Sequence, residues 1–332
     1  MKKIKVAING FGRIGRVFLR AAINRPNIEI VAINDLTDVQ TLAHLLKYDS
    51  VHGKFNGTVS IDGEFLIINN QKIKITASAD PKNLPWKEMN IDVVLESTGH
   101  FLDKESAQKH LDAGAKKVLL SAPPKDNDIK TIVLGVNDNL LTKDDVVISN
   151  ASCTTNCAAP MVKVLLNWGI EDIYISTVHS YTGDQRLHDS PHKDLRRARA
   201  AALNIVPTST GAAKATTKIF PQLEGKVGGC GIRVPVPDGS LTDITCVLEK
   251  PATAKEINEA FKKAAQTDLK GVLEYTEDPI VSSDIVGNPN SSILDAEFTA
   301  VVGNMVKIIG WYDNENGYSN RLADVIEKWF SL

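Results

Sequence analysis

The sequence contains few cysteines, no long apolar run and no excess of basic residues. Its four cysteines lie among 332 residues without the spacing of a disulfide framework, which favours a reducing compartment, and we expect the cytoplasm. No stretch approaches about 18 uninterrupted apolar residues, so we predict no membrane span. The first residues, MKKIKVAINGFGRIG, lack the apolar core and the cleavage site of a signal peptide.

The charges are nearly balanced. Lysine and arginine number 38 against 40 acidic residues, which gives a formal net charge of -2. This balance offers no general positive field for nucleic acid or an anionic membrane, so any anion site must be built locally. Apolar residues make up 43% and charged residues 23%, as in a folded globular protein rather than a disordered one. The length is sufficient for two domains.

The first half of the chain alternates apolar strands with amphipathic helices. Strands are predicted at Lys5–Asn9 and Ile28–Asn34, and helices at Arg13–Asn24 and Asp38–Tyr48, with Asp38 as an N-cap. This alternation predicts an α/β fold with a doubly wound, mostly parallel, Rossmann-type sheet. Further strands are predicted at Val59–Ala77 (several short strands), Ile91–Ser97, Lys117–Ser121, Ile132–Val136 and Val146–Ser149.

After Asn150 the strands become longer and the helices fewer, which predicts a second, α+β domain with an antiparallel sheet. We therefore expect one domain at 1–150, another at 151–316 and a helical segment at 317–332. The predicted strands are Glu171–Tyr181, Gly228–Val236, Leu241–Glu249 and Val301–Trp311, and the predicted helices are Ala212–Phe220 and Lys255–Gln266.

The stretch GFGRIG places Gly10, Gly12 and Gly15 in a G-x-G-x-x-G pattern between a predicted strand and helix. These glycines allow a tight turn, close approach of a pyrophosphate and close packing of the helix on the strand. Asp35 follows about 20 residues later at the end of the second strand, where a carboxylate binds ribose hydroxyls and repels a 2′-phosphate. The combination favours a dinucleotide-binding domain for NAD over NADP, and over a glycine-rich turn without a ligand.

A candidate for chemical reactivity is the segment NASCTTNCAAP, at Asn150–Pro160, which contains two cysteines. Ser152 is a natural N-cap, which would put Cys153 at a helix N-terminus, where the thiolate is favoured. Pro160 lies beyond the first turn and predicts a kink or a later start of the helix.

A nucleophilic thiolate usually needs a nearby base, and His179, at the end of the strand IYISTVHSYT, is the best candidate. Sequence alone does not pair it with Cys153, and a single histidine is more often a surface or core residue. Cys157 lies one turn further on, but a zinc site lacks two more ligands at short spacing and an intrahelical disulfide would be strained. We interpret Cys157, Cys230 and Cys246 as small buried residues and predict no metal.

Four segments carry groups suited to anions: the SCTTN helix start, the PTSTGAAKA helix start, and the arginine-containing DLRRARAA and GIRVPVP. The arginine run Arg196–Arg199 could equally be a solvated surface or a nucleic-acid patch, which the acidic balance disfavours. The candidate residues are Ser152, Thr154, Thr210, Gly211, Arg197 and Arg233.

Over essentially its whole length the chain resembles phosphorylating glyceraldehyde-3-phosphate dehydrogenases. The resemblance rests on INGFGRIGR, SNASCTTNCAAP, STVHSYTGDQ, HKDLRRARAAA, PTSTGAAKA, IRVPVPDGS and WYDNENGYSNR. It implies that Cys153 attacks the aldehyde, that His179 lowers the pKa of the thiol and acts as general base and acid, and that NAD takes the hydride. Inorganic phosphate then releases 1,3-bisphosphoglycerate from a thioester, a step of glycolysis and gluconeogenesis.

The resemblance also assigns binding residues. Thr182 and Arg233 would hold the C3 phosphate of glyceraldehyde 3-phosphate, and Asn314 the nicotinamide carboxamide. A loop from about Tyr181 to Leu203 would pack near a neighbour's cofactor, which implies a homotetramer, and the C-terminal helix would pack back on the dinucleotide domain. Further implied residues are Arg13, Ile14, Asp35 and Ser121 for the dinucleotide, and Ser152, Thr154, Arg197, Thr210 and Gly211 for the attacking phosphate.

The chain departs from the family pattern at four positions. Ala79 stands where an arginine often precedes Asp-Pro, so an adenine-side contact would be lost. Ser190 replaces a leucine common in NAD-preferring members, which leaves room for some NADP use. Gly183 replaces a common asparagine, and Asn316 a common aromatic residue.

Three other functions compete with this interpretation. Erythrose-4-phosphate dehydrogenase shares the plan, although TSTGAA at Thr208–Ala213 favours the phosphorylating glyceraldehyde-3-phosphate enzyme. A cysteine hydrolase would use Cys153 and His179 but would leave the glycine fingerprint without a purpose. A protein that only binds nucleic acid or another chain would tolerate replacement of Cys153 by serine.

Overall fold

A computed structural model describes residues 3–332, which divide into two units. The first comprises the chain up to Ile132 together with Asp138–Ala151 and Ser319–Leu332. The second comprises Val133–Asn137 and Ser152–Tyr318. No helix in the described part of the chain is both long enough and apolar enough to cross a membrane.

The first unit is built on a nine-stranded sheet with the order β3-β4-β5-β2-β1-β6-β7-β9-β8. Every neighbouring pair is parallel except β3 with β4 and β4 with β5, which form antiparallel pairs at one edge. This sheet confirms the predicted Rossmann-type fold class. The strands are β1 (Ile4–Asn9), β2 (Ile28–Asn34), β3 (Val59–Asp62), β4 (Phe65–Ile68), β5 (Gln71–Thr76), β6 (Val93–Glu96), β7 (Lys117–Leu120), β8 (Lys130–Thr131) and β9 (Val147–Ser149), and the helices are α1 (Arg13–Ala22), α2 (Val39–Lys47) and α3 (Lys104–Asp112).

The second unit contains a seven-stranded sheet with the order β11-β12-β10-β13-β16-β15-β14. It is mixed: four neighbouring pairs are antiparallel, whereas β10 with β12 and β14 with β15 are parallel. The strands are β10 (Ile170–Ser180), β11 (Val206–Thr208), β12 (Val227–Val234), β13 (Ser240–Leu248), β14 (Leu273–Thr276), β15 (Ser292–Val302) and β16 (Met305–Tyr312), and the helices are α4 (Cys153–Leu165), α5 (Ala212–Ile219) and α6 (Ala254–Gln266).

Two strand predictions are wrong. Ile132–Val136 is not a strand, because Gly135 takes a positive φ of 75° and the Asn137 side chain bonds the Val133 amide at 2.7 Å, which closes a turn. Val301–Trp311 is not one strand, because Gly303, with φ of 61°, turns the chain between β15 and β16. A positive φ suits glycine and interrupts an extended segment.

The last helix, α7 (Asn316–Phe330), contributes its residues from Ser319 onward to the first unit. Arg25, just after α1, pairs with Asp324 and with Glu327, the latter at 2.8 Å. The indole N–H of Trp329 donates to the Thr142 carbonyl at 3.2 Å. Ion pairs and a buried indole thus attach the C-terminal helix to the unit that contains the glycine fingerprint.

Candidate active site

The three fingerprint glycines each meet a different steric demand. Gly10 has φ of 92°, and a Cβ there would lie 2.7 Å from the Thr98 backbone nitrogen. A Cβ on Gly15 would lie 2.2 Å from the Gly10 carbonyl oxygen, since α1 packs directly on the turn. Gly12 has open space around its Cβ position, where a ligand can approach the backbone.

A cavity of about 360 Å³ lies at the carboxyl ends of β1, β2 and β6. Its lining includes Gly10, Gly12, Asp35 and Ala79. Successive strands continue on opposite sides of β1, because β1 pairs with β2 on one side and β6 on the other. Ligands of open α/β sheets bind in the crevice at such a switch point, so this cavity is the candidate dinucleotide site.

The Asp35 carboxylate is held by two backbone amides at the end of β2. Its oxygens accept from the Phe11 N–H at 2.8 Å and from the Thr37 N–H at 3.0 Å. The N-terminus of α1 receives no side-chain cap, because the residue at its N-cap is Gly12. A helix N-terminus attracts a phosphate, and the Asp35 carboxylate is suited to hydroxyl groups.

The remaining predicted cofactor residues have different surroundings. Arg13 pairs with Asp49 at 2.6 Å. Ile14 lies in the first turn of α1, and Ser121 follows β7 with its amide on the Glu96 carbonyl at 3.0 Å. Asn314, in the second unit, accepts hydrogen bonds from two serine hydroxyls, Ser180 at 2.8 Å and Ser240 at 2.7 Å.

Cys153 is the first residue of α4, and the Ser152 side chain caps that helix by accepting from the Thr155 amide at 3.1 Å. Pro160 lies inside the helix without delaying its start. The Sγ atom of Cys153 lies 3.4 Å from Nε2 of His179, so the fold joins the two residues that sequence alone did not pair.

Two neighbours of opposite kind contact Nδ1 of His179: the Ser180 carbonyl oxygen at 2.7 Å, which can only accept, and Arg233 Nη1 at 2.9 Å, which can only donate. Both Nη1 hydrogens have other acceptors, the Ser180 carbonyl and the Thr182 hydroxyl, so the proton of the neutral ring is assigned to Nδ1. Nε2 is then the acceptor that faces the Cys153 thiol. Tyr312 packs edge-on against the ring, with centroids 5.9 Å apart. This imidazole is oriented to receive the thiol proton.

Burial shifts the pKa values of both members of this pair away from ionisation. Burial raises the pKa of Cys153 to about 11, although Arg233 and the Thr154 amide act in the opposite direction. Burial, then the charge of Arg233, lower the pKa of His179 to about 3. For the Cys153 thiol, desolvation thus opposes the effect of the helix N-terminus.

Polar side chains continue from His179 toward the predicted phosphate residues. Arg233 Nη1 donates to the Ser180 carbonyl at 2.9 Å and to the Thr182 hydroxyl at 3.2 Å. The Asp184 carboxylate accepts from Thr182 and pairs with Arg197. The Asp184 carboxylate therefore links Thr182, predicted to bind the C3 phosphate, with Arg197, predicted to bind the attacking phosphate. The sequence analysis did not identify Asp184.

The other predicted phosphate residues lie at two helix starts. Arg197 donates to the Thr208 hydroxyl at 2.8 Å from Nη2, and Thr210 Oγ1 accepts from the Ala212 amide at 3.2 Å beside Gly211, the N-cap residue of α5. The Thr154 hydroxyl is buried and bonds Tyr312 at 2.8 Å. Thr154 can therefore offer a phosphate its backbone amide but not a free hydroxyl.

Cys157 and Cys246 are buried as predicted, whereas the prediction is wrong for Cys230, which is only partly buried, with its thiol 3.7 Å from the Ser176 hydroxyl. The thiol of Cys157 is buried against the Ser292 hydroxyl at 3.4 Å, and burial raises its pKa to about 12. Cys246 is also buried, with its pKa raised to about 12, and all four cysteines are free.

Comparison with known proteins gives a consistent result. The model of the glyceraldehyde 3-phosphate dehydrogenase NAD binding domain matches residues 4–104, and that of the C-terminal domain matches residues 152–314. The chain is 56% identical over 325 residues to "Glyceraldehyde-3-phosphate dehydrogenase 1" of Bacillus subtilis (strain 168) and to "Glyceraldehyde-3-phosphate dehydrogenase" of Geobacillus stearothermophilus. A Streptomyces coelicolor protein named "Glyceraldehyde-3-phosphate dehydrogenase" is 57% identical over 327 residues. Each match covers 97% of both chains.

Proposed function

The chain belongs to the glyceraldehyde-3-phosphate dehydrogenase family, and from that premise we propose how its residues perform the reaction. The protein is an NAD-dependent oxidoreductase that converts glyceraldehyde 3-phosphate and inorganic phosphate to 1,3-bisphosphoglycerate. The observation that carries the residue assignment is the 3.4 Å contact between Cys153 Sγ and His179 Nε2. A thiol with an oriented base is the arrangement that covalent catalysis on an aldehyde needs.

The first step makes a carbon–sulfur bond. His179 Nε2 takes the proton from Cys153, and the sulfur lone pair attacks the aldehyde carbon. The carbonyl oxygen takes up a proton from the imidazolium and becomes the hydroxyl of a hemithioacetal. Arg233 and Thr182 bind the C3 phosphate of the substrate, since their donors lie together and next to His179.

The second step oxidises the hemithioacetal. NAD, when bound, would supply the hydride acceptor for this carbon. His179 would take the hydroxyl proton as the carbon–hydrogen bond breaks and the carbonyl of the thioester forms. The open position at Gly12, the uncapped start of α1 and the Asp35 carboxylate suit a pyrophosphate and a ribose. Asn314 orients the nicotinamide amide, because two serine hydroxyls fix its own amide.

The third step transfers the acyl group. Inorganic phosphate attacks the thioester carbon, the carbon–sulfur bond breaks, and the Cys153 thiolate is reprotonated by His179. Arg197 and the start of α5, at Thr210 and Gly211, bind the attacking phosphate. The amides of the first turn of α4, after Ser152, face the same negative charge.

We further propose a cytoplasmic homotetramer. A run of exposed apolar side chains in the segment 187–205 supports an interface there, because a monomer rarely exposes such a cluster. Sedimentation of the purified protein tests the tetramer, and Leu195→Asp should shift it to smaller species while Leu45→Asp, on another exposed leucine, should not. The apolar residues are Leu187, Leu195, Leu203 and Ile205, between 69% and 81% exposed.

The activity is tested by following the reduced cofactor after mixing the protein with glyceraldehyde 3-phosphate and NAD, with and without inorganic phosphate. We expect fast, phosphate-dependent reduction that Cys153→Ser abolishes and Cys157→Ser retains. Parallel runs use NADP and erythrose 4-phosphate. Faster turnover of erythrose 4-phosphate, or indifference to phosphate, would overturn the assignment of the phosphate residues.

A further inference from the structure

A fully buried acid, Glu96, lies at the end of β6 below the dinucleotide cavity. One carboxylate oxygen accepts from Asn9 Nδ2 at 2.6 Å and contacts His110 Nε2 at 3.1 Å. The other accepts from the Thr98 amide at 2.8 Å and from the Thr98 hydroxyl. Four donors thus converge on a group that could not remain charged in an apolar interior without them.

The protonation of His110 follows from its second neighbour. Trp86 Nε1 lies 3.1 Å from His110 Nδ1, and an indole nitrogen can only donate. Nδ1 is therefore the acceptor, and the single proton of the neutral ring is on Nε2, directed at Glu96. All three side chains are fully buried, so the carboxylate cannot exchange this donor for water.

The partners of Glu96 form part of the cavity wall. Asn9 Oδ1 accepts from Asn34 Nδ2 at 2.7 Å, and Asn34 Oδ1 accepts from the Ser78 amide at 2.9 Å. Thr98 packs against Gly10, whose missing Cβ would touch the Thr98 nitrogen. Asn9, Asn34, Ser78 and Thr98 all line the cavity. The Glu96 carboxylate thereby holds Asn9 at the end of β1 and Thr98 just after β6 and, through Asn9, also Asn34 at the end of β2.

We propose that Glu96 is a positioning residue for the adenosine half of NAD. It acts through Asn9 and Thr98 and does not touch the cofactor. The adenosine half is indicated because Asp35, the ribose-binding acid, lines the same cavity. This inference rests on the proposed use of NAD and adds a group that the glycine fingerprint does not include.

The first test compares Glu96→Gln with Glu88→Gln, an exposed acid of the same unit. The amide nitrogen introduced at position 96 must face at least one of the four donors, which displaces Asn9 or Thr98. We expect the Kd for NAD, measured by calorimetry, to rise at least about tenfold in Glu96→Gln, as for other supporting residues of a site, and to stay unchanged in Glu88→Gln. The kcat at saturating NAD should change far less than the KM for NAD.

If Glu96→Gln does not fold, a second pair of variants tests the same hydrogen-bond network through His110. His110→Gln keeps a donor for Glu96 and an acceptor for Trp86, whereas His110→Leu removes both. We expect His110→Gln to bind NAD close to the wild-type Kd and His110→Leu to bind it several-fold more weakly. A loss of packing alone would not be rescued by the polar variant.

A cooperative denaturation transition, followed by the fluorescence of the buried Trp86 and Trp329 of the same unit, serves as the folding control. Folded Glu96→Gln and His110→Leu proteins with wild-type NAD affinity would overturn the inference. Failure of the wild-type protein to bind NAD would instead overturn the proposed function.

Discussion

Arg233 Nη1 lies 2.9 Å from His179 Nδ1. The two residues are direct partners in the parallel ladder between β10 and β12. A guanidinium this close opposes protonation of the imidazole, and the charge of Arg233 is, after burial, the main reason for the low pKa of His179. A substrate phosphate that neutralises Arg233 would remove this opposition as the base begins to act.

We expect Arg233→Gln to raise the pKa of His179 from about 3, by about one unit, because a positive neighbour is removed. Burial, Tyr312 and the Asp184–Arg197 pair remain around the ring. The measurement is the titration of ¹³C-labelled histidine by NMR in a Cys153→Ser background, with His179→Gln to assign the resonance. Arg199→Gln, an exposed arginine of the same unit, should leave the pKa unchanged. A constant or lower pKa in Arg233→Gln would contradict the coupling.

Removal of the base should expose the raised pKa of the thiol. In His179→Gln the Cys153 proton can leave only to solvent, and burial holds its pKa near 11. Alkylation by iodoacetamide should therefore slow at least about tenfold at neutral pH and keep increasing up to about pH 11, because only the thiolate reacts. His188→Gln, at an exposed histidine, is the matched control. If the alkylation rate of His179→Gln instead reached a plateau near pH 8, burial would not be what sets the pKa of the Cys153 thiol.

Two alanine substitutions should separate folding from cofactor binding. Gly15→Ala forces a Cβ to 2.2 Å from the Gly10 carbonyl and should lower the free energy of unfolding by about 1–3 kcal/mol. Gly12→Ala meets no atom within 4 Å and should change that free energy by about 0.5 kcal/mol or less. Its methyl group would occupy the space near the pyrophosphate, so its Kd for NAD should rise at least about tenfold. Chemical denaturation and calorimetry measure the two effects, and the opposite ranking would refute the steric argument.

Asp35→Asn should reduce discrimination against NADP. The amide oxygen can still accept from the Phe11 or the Thr37 amide, so the fold should be retained, while the charge that repels a 2′-phosphate is lost. We expect the ratio of kcat/KM for NAD to that for NADP to fall by about tenfold or more. Asp38→Asn, which alters an exposed helix cap, is the control. An unchanged ratio would show that Asp35 does not determine the preference for NAD over NADP.

Much of the fold could be predicted because its signals are local. The caps Asp38 and Ser152 were recognisable because a short polar side chain precedes an apolar helical pattern, and both bond the expected amides. The fingerprint glycines and Asp35 lie within about 25 residues of one another. The carboxyl ends of β1 and β2 bring Gly10, Gly12 and Asp35 to the wall of one cavity.

The long-range relationships could not be predicted in the same way. The pairing of His179 with Arg233 depends on the register of two strands that the sequence separates by 54 residues. The pKa of the Cys153 thiol depends on how deeply the fold buries the sulfur. Its position at a helix N-terminus, which the sequence predicts, does not include that effect. Ala151 takes a positive φ of 56° directly before Ser152, a conformation that no sequence rule assigns to alanine.

Because the start of α1 has no side-chain cap, the stability of the folded protein should depend on whether NAD is bound. Helices α2, α3, α4 and α6 each begin with a side chain that accepts a backbone amide, whereas α1 and α5 have a glycine at the N-cap and no side-chain cap. At α1 a bound pyrophosphate would supply the acceptor, and a ligand that binds only the folded chain stabilises it by about 2.7 kcal/mol at 100 times its Kd. A cell depleted of NAD would thus hold this protein in a state that unfolds more often and is degraded sooner.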